Sequence, residues 1–167
     1  MKKAILLFCI LLLGSKSFSQ NVESNRKTIN ATLDSWHKAA ANAEFDNYFS
    51  FMTSNSVFIG TDATENWQLD AFKAFSKPYF DKGKAWNFAS LQRNIYFDKS
   101  QNTAWFEELL DTHMKICRGS GVLIREGKKW KIAHYVLSMT VPNDNSDEVV
   151  KIKEKIENEV LQKLNAK

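Results

Sequence analysis

Apolar positions along the chain repeat first with helical spacing, then with strand spacing, then with helical spacing again. Within residues 22–42, Ile29, Leu33, Trp36 and Ala40 are spaced 4, 3 and 4 apart, which predicts one buried face of an amphipathic helix. Phe45, Tyr48, Phe49 and Met52 predict a second, shorter helix. The β-branched and aromatic run Ser56 to Ile59 predicts a strand, which Gly60-Thr61-Asp62 ends. Glu65 follows Asp62 by three residues, the spacing of a capping box, so a third helix is expected over 66–81. Leu69, Phe72, Phe75 and Tyr79 form its stripe, Pro78 sits in its last turn, and Gly83 closes it.

From Trp86 the period changes to two. Runs at about 86–97, 103–111, 115–125 and 130–141 are joined by the polar turns 98–102 and 126–129, which predicts an antiparallel meander. Helices first and a sheet afterwards indicate an α+β fold with helices packed on one sheet face. Pro142-Asn143-Asp144-Asn145 stops the last strand. Val149, Ile152, Ile156, Val160 and Leu164 then predict a terminal amphipathic helix. Docking on the domain is the preferred reading of its narrow stripe, ahead of pairing with a second copy or fraying.

The N-terminus changes the picture of charge and compartment. Lys2 and Lys3 precede an apolar run from Ala4 to Leu13, and Ser17 and Ser19 supply small residues before Gln20. The run is shorter than the roughly 20 residues of a membrane span, so residues 1–19 read as a cleaved signal peptide. The expected organisation is a signal peptide at 1–19, a domain at 20–142 and a C-terminal helix at 143–167. The chain would be exported, periplasmic or secreted, with no membrane span after cleavage. Cleavage takes Lys2, Lys3 and Lys16 with it, lowering the formal charge from +4 to about +1. No clustered basic face argues for nucleic acid. Cys9 leaves too, so Cys117 is the one cysteine of the mature chain and reads as a buried small apolar residue.

Three blocks carry a family resemblance: Trp36-His37-x-Ala39-Ala40-Ala41 through Tyr48-Phe49, Val57-Phe58-Ile59-Gly60-Thr61-Asp62-x-x-Glu65, and Gly127-x-x-Trp130-Lys131-Ile132-Ala133-His134 ending at Ser138. Together they resemble the SnoaL-like branch of the nuclear-transport-factor-2-like superfamily; the last block also resembles the association domain of calcium/calmodulin-dependent kinases. The resemblance implies a cone whose curled sheet surrounds a cavity closed by the first and third helices, in a homodimer formed across the sheet. It does not choose an activity, because the superfamily holds isomerases, dehydratases, cyclases, ligand-binding modules and assembly domains.

Candidate chemistry centres on the strand after Asn102. Alternation places Trp105, Glu107, Leu109 and Asp111 on one face and Phe106, Glu108 and Leu110 on the other. By the resemblance, the 105/107/109 face looks into the cavity. Glu107 is then a candidate base with His134, His37 or Tyr135 as partner. The alternative is an ion pair of Glu107 or Glu108 with Arg118 or Arg93 on a neighbouring strand. Arg118 stands beside Gly119 and Gly121, which would let a ligand approach, and could receive a carboxylate. His37 follows Trp36 on the first helix and would line the cavity wall, while Trp67 would stand at its mouth. The candidate ligand-binding set is Trp36, His37, Trp67, Tyr79, Trp105, Arg118 and Tyr135, and the candidate catalytic pair is Glu107 and His134. His113 sits at a turn and reads as solvated. There is no His-x-x-x-His, calcium loop, phosphate loop or dinucleotide fingerprint, so no metal or cofactor is expected. The preferred function is binding of a small apolar or carboxylate-bearing molecule without turnover. The alternatives are an isomerase, dehydratase or hydrolase using Glu107, or a dimeric interaction domain with a filled cavity.

Overall fold

Most of the elements follow the periodicity of the sequence. A computed structural model describes the backbone of residues 2–166 and the side chains of residues 21–166. The signal-peptide reading of residues 1–19 concerns residues outside the described side chains. The first helix, α1 (Lys2–Ala41), buries Ile29, Leu33, Trp36 and Ala40 on one stripe, as their spacing requires. It ends where Ala43 turns left-handed at φ 56°, which lets the Glu44 amide reach the Ala39 carbonyl at 2.8 Å. Helix α2 (Phe45–Ser50) follows and leads into β1 (Met52–Ile59).

The expected helix over 66–81 is shorter and is preceded by a strand. Asn66–Gln68 form β2, an antiparallel partner of β1, with Trp67 opposite Phe58. Helix α3 (Leu69–Asp81) starts only after it, and no side chain caps its first turn. The capping-box residues act in the hairpin loop instead. The Asp62 carboxylate accepts from the Thr64 amide at 2.8 Å, and the Glu65 carboxylate accepts from the Asp62 amide at 3.2 Å. The same hydrogen-bonding groups close a turn as readily as they cap a helix.

The meander consists of β3 (Ala89–Phe97), β4 (Thr103–Thr112), β5 (Lys115–Glu126) and β6 (Lys129–Met139). Residues 84–88, which the alternation assigns in part to the first of these strands, form a connecting loop. The six-stranded sheet has the order β2-β1-β6-β5-β4-β3, with β1 parallel to β6 and every other pair antiparallel. Helices cover one face of the sheet. Along β4 that inner face carries Ala104, Phe106, Glu108, Leu110 and Thr112, all buried, while Trp105 and Asp111 point outward. Cys117 is buried on the inner face of β5 as a free thiol.

A 3-10 turn (Asn143–Asn145) follows Pro142 and starts α4 (Ser146–Asn165). The expected docking of this helix on the domain does not occur. No residue of α4 is buried, and its main neighbour is the turn that precedes it. The stripe is narrow and flanked by the charged pair Lys153 and Glu157, which limits what it would gain by lying on a core.

Candidate functional site

Glu108 is held on the inner face by three elements at once. His37 of α1 places Nε2 2.8 Å from one carboxylate oxygen, and the Tyr135 hydroxyl of β6 donates to the same oxygen at 3.2 Å. Arg93 of β3 donates through Nε to the other oxygen at 2.9 Å. A second guanidinium nitrogen of Arg93 reaches back to α1, donating to Asp34 at 2.8 Å and to the Asn30 side chain at 3.1 Å. This clamp ties the helix to the sheet through buried charge. Burial alone would raise the Glu108 carboxyl, but the hydrogen bond and charge of His37 and the charge of Arg93 outweigh it and hold the group below its ordinary value. Burial, followed by the negative charge of Glu108, pushes the Tyr135 phenol well up. The carboxylate is fully engaged and meets no open space on the inner face.

Beside the clamp lies a cavity of about 300 Å³ with mostly aromatic walls. Trp67 of β2 stacks on Phe75 of α3 with ring centroids 4.4 Å apart, and Phe58 of β1 stacks on Phe72 at 4.0 Å. Tyr79, Trp86, Phe88, Met114 and Leu137 complete the apolar lining. Polar groups come from the loop after β1, through Thr61 and Glu65, and from the β4–β5 turn, through His113. Glu65 folds across Gly60, where an added Cβ would lie only 2.0 Å from the carboxylate. A bare backbone at that position is what lets the acid stand there. The volume is at the small end of the range for ligand pockets, and the composition suits a flat apolar molecule with one polar end.

The clamp and the cavity are neighbours separated by aromatic walls. Phe58 stacks between Phe72 and Tyr135, and Phe88 lies edge-on 6.1 Å from His37 while also lining the cavity. Of the sequence-derived candidates, Trp67 and Tyr79 line the cavity. Trp36 and Tyr135 are buried core residues behind it, and Trp36 packs edge-on against Tyr135 at 4.8 Å. His37 belongs to the clamp.

The other four candidates are on the outer face. The expected orientation of β4 is reversed: Trp105 and Glu107 point away from the helices, and the Glu107 carboxylate accepts from Asn94 at 2.9 Å. Period two sorts residues into faces without saying which face is inside. Arg118 is exposed on the same outer side, paired across β4 with Leu109, and His134 stands on that side opposite Val122. The partner of Glu108 is therefore Arg93 and not Arg118. The glycines beside Arg118 make room for side chains of the protein itself. A Cβ on Gly119 would lie 2.2 Å from the Tyr135 hydroxyl, and one on Gly121 would meet the His134 carbonyl at 2.4 Å and the Phe106 ring at 2.9 Å.

Residues missed by sequence reasoning include Thr61, Glu65, His113 and Met114. The signal available for the first two was the glycine before a short loop that ends beside Trp67. For His113 and Met114 it was their position at the tip of a hairpin, which a curled sheet brings over the cavity mouth.

Comparison with known proteins agrees with this architecture. A family model described as a SnoaL-like domain matches residues 29–142. No curated protein matches the sequence. Among solved structures, the chain resembles an NTF2-like protein of unknown function from Pseudomonas putida, with a TM-score of 0.60, 13% identity and coverage of 74% of this chain and 92% of that one. It also resembles a protein provisionally named a dehydratase of the NTF2-like family from Streptomyces avermitilis, at a TM-score of 0.63, 8% identity and coverage of 72% and 99%. A cystatin-like domain of unknown function from Nostoc punctiforme gives a TM-score of 0.62 and 11% identity over 86% of this chain and 96% of that one. Identities this low speak for the fold alone. The solved structures give the chain an NTF2-like fold, and with the family model spanning most of the domain, the chain belongs to the SnoaL-like family.

Proposed function

We propose that this chain is an exported binding protein that takes a small, flat, mainly apolar molecule into the aromatic cavity. The observation that carries the reading is the division of the lining: mainly aromatic and aliphatic walls, with a few polar groups, among them Thr61, Glu65 and His113, that can read a polar substituent. An anionic carboxylate is a poor match, since Arg118 stands outside the cavity and Glu65 would repel it. A neutral ring bearing a hydroxyl or amine donor fits better, with Glu65 accepting. Binding is favoured over catalysis because the base expected of an enzyme, Glu107, is outside, Glu108 is consumed by Arg93, His37 and Tyr135, and the carboxylate at the cavity, Glu65, accepts from the Asp62 amide of its own loop. A homodimer through the outer sheet face belongs to the same proposal. Tyr96 and Trp105 stack there at 6.0 Å, and both are about half exposed. Export rests on the pattern of residues 1–19.

Titration with 2-naphthol, a flat neutral probe, tests the reading through quenching of tryptophan fluorescence. Saturable binding that weakens at least about tenfold in Trp67→Ala is expected. Equal binding by the wild type and Trp67→Ala, or no binding by either, would overturn it.

A further inference from the structure

Among the described residues, thirteen large apolar side chains are exposed, and five of them stand on α4: Val150, Ile152, Ile156, Leu161 and Leu164. Soluble chains seldom leave so many on one element without a partner. Ile152, Ile156, Val160 and Leu164 follow one another at intervals of four, so they form a single ridge of the kind that interdigitates with a like ridge on a second helix.

The charges beside this ridge identify the second helix. At about 100° per residue, Lys153 and Glu157 lie on one flank, bonded to each other at 2.8 Å. Glu148, Lys155, Glu159 and Lys163 lie on the other flank. Turned end for end about Ile156, the ridge maps onto itself, with Ile152 exchanged for Val160. Like flanks then face each other, and meetings of opposite sign outnumber like ones: Lys153 with the partner's Glu157, Lys155 with the partner's Glu159 and Glu148 with the partner's Lys163 each occur twice, whereas Lys155 and Glu157 each face their own copy once. A parallel arrangement would instead bring opposite flanks together, setting Lys153 near the partner's Lys155 and Glu157 near the partner's Glu159, with Glu157 and the partner's Lys155 as the one attractive meeting. Charge complementarity therefore favours the antiparallel direction about a twofold axis. The helix carries four lysines against five acids, so it lacks the basic polar face of helices that lie on anionic lipid.

We propose that α4 pairs antiparallel with α4 of a second copy of this chain, with Ile156 at the twofold axis. This contact is independent of the cavity and of the outer sheet face. A single helix pair is small beside the roughly 1,200 Å² of a stable interface, so trapping reads it better than co-elution.

Cysteine substitutions in a Cys9→Ser background provide the trap, and the buried Cys117 does not compete. In the purified chain under mild oxidation, Ile156→Cys is expected to give a disulfide-linked dimer. Leu164→Cys, whose two copies would sit about 24 Å apart, and the surface control Lys82→Cys are expected to stay monomeric on a non-reducing gel. Adding Lys153→Glu and Lys155→Glu to Ile156→Cys should slow cross-linking on the order of tenfold, and further addition of Glu157→Lys and Glu159→Lys should restore it. Cross-linking of Leu164→Cys in place of Ile156→Cys would mean a parallel pair and overturn the proposal. Equal cross-linking at all three positions, at none, or without response to the charge changes would overturn it as well.

Discussion

Glu107 and Glu108 are adjacent carboxylates on one strand, and the fold gives them different surroundings. Glu107 is partly exposed and makes one hydrogen bond, to an exposed asparagine. Glu108 is about 1% exposed and bound by a histidine, an arginine and a tyrosine drawn from three elements. The difference teaches what a buried charge is for. Around Glu107 water does the solvating, so neighbours contribute little. Around Glu108 the protein must replace water, and the residues that do so are the ones that join α1 to β3, β4 and β6. A buried ion pair is weak evidence of net stabilisation, yet removing one partner is costly, because the others stay buried and uncompensated.

The largest expected effect follows from that asymmetry. Glu108→Ala should lower unfolding stability by about 3–5 kcal/mol in urea denaturation, whereas Glu107→Ala should stay within about 0.5 kcal/mol. Equal losses would erase the distinction between the two faces.

Acid titration sharpens it further. The Glu108 carboxyl lies below its ordinary value of 4.5 in the folded chain, so the unfolded chain binds the proton first. Its contribution is full above that ordinary value and is lost as pH falls through the lower, folded value. The thermal midpoint should therefore drop between about pH 5 and 3 in the wild type and in Glu107→Ala, and the drop should shrink in Glu108→Ala.

Smaller changes probe single bonds. Tyr135→Phe should cost about 0.5–1.5 kcal/mol, one hydrogen bond within an otherwise intact clamp, again by urea denaturation. Arg118→Ala, on the outer face, should cost less than about 0.5 kcal/mol and leave 2-naphthol binding unchanged. A loss of probe binding there would place the ligand on the wrong side of the sheet.

Much of the fold was legible because periodicity encodes it. The changes of period near Trp86 and after Pro142 separate helices from sheet, and the polar turns at 98–102 and 126–129 fix two hairpins. What the chain does not spell out is direction. Trp105 and Phe106 are equally apolar, so neither says which face of β4 is inside. A usable hint lay in the company each keeps: Trp105 shares its face with Glu107 and Asp111, whereas Phe106 shares its face with Ala104, Leu110 and only one acid. Arg93 was one of two candidate partners for Glu108, and cross-strand register decides between it and Arg118. Strand β2 was hidden because its three residues are too few for a period, and its loop borrows the hydrogen-bonding groups of a helix cap. The cavity rim was hidden for a related reason, since Glu65 and His113 come together only when a β1–β2 loop and a β4–β5 turn meet over a curved sheet.

Gly119 leaves the inner surface of β5 bare where the Tyr135 phenol crosses to Glu108. The strand at that point shields its own peptide groups with nothing; a ring from the next strand does it instead. Release of Tyr135 from Glu108 would uncover that stretch of β5, whose backbone is otherwise held between β4 and β6. Amide hydrogen exchange at Gly119, Ser120 and Gly121 would therefore report the opening of the clamp, through a strand that contributes no side chain to it.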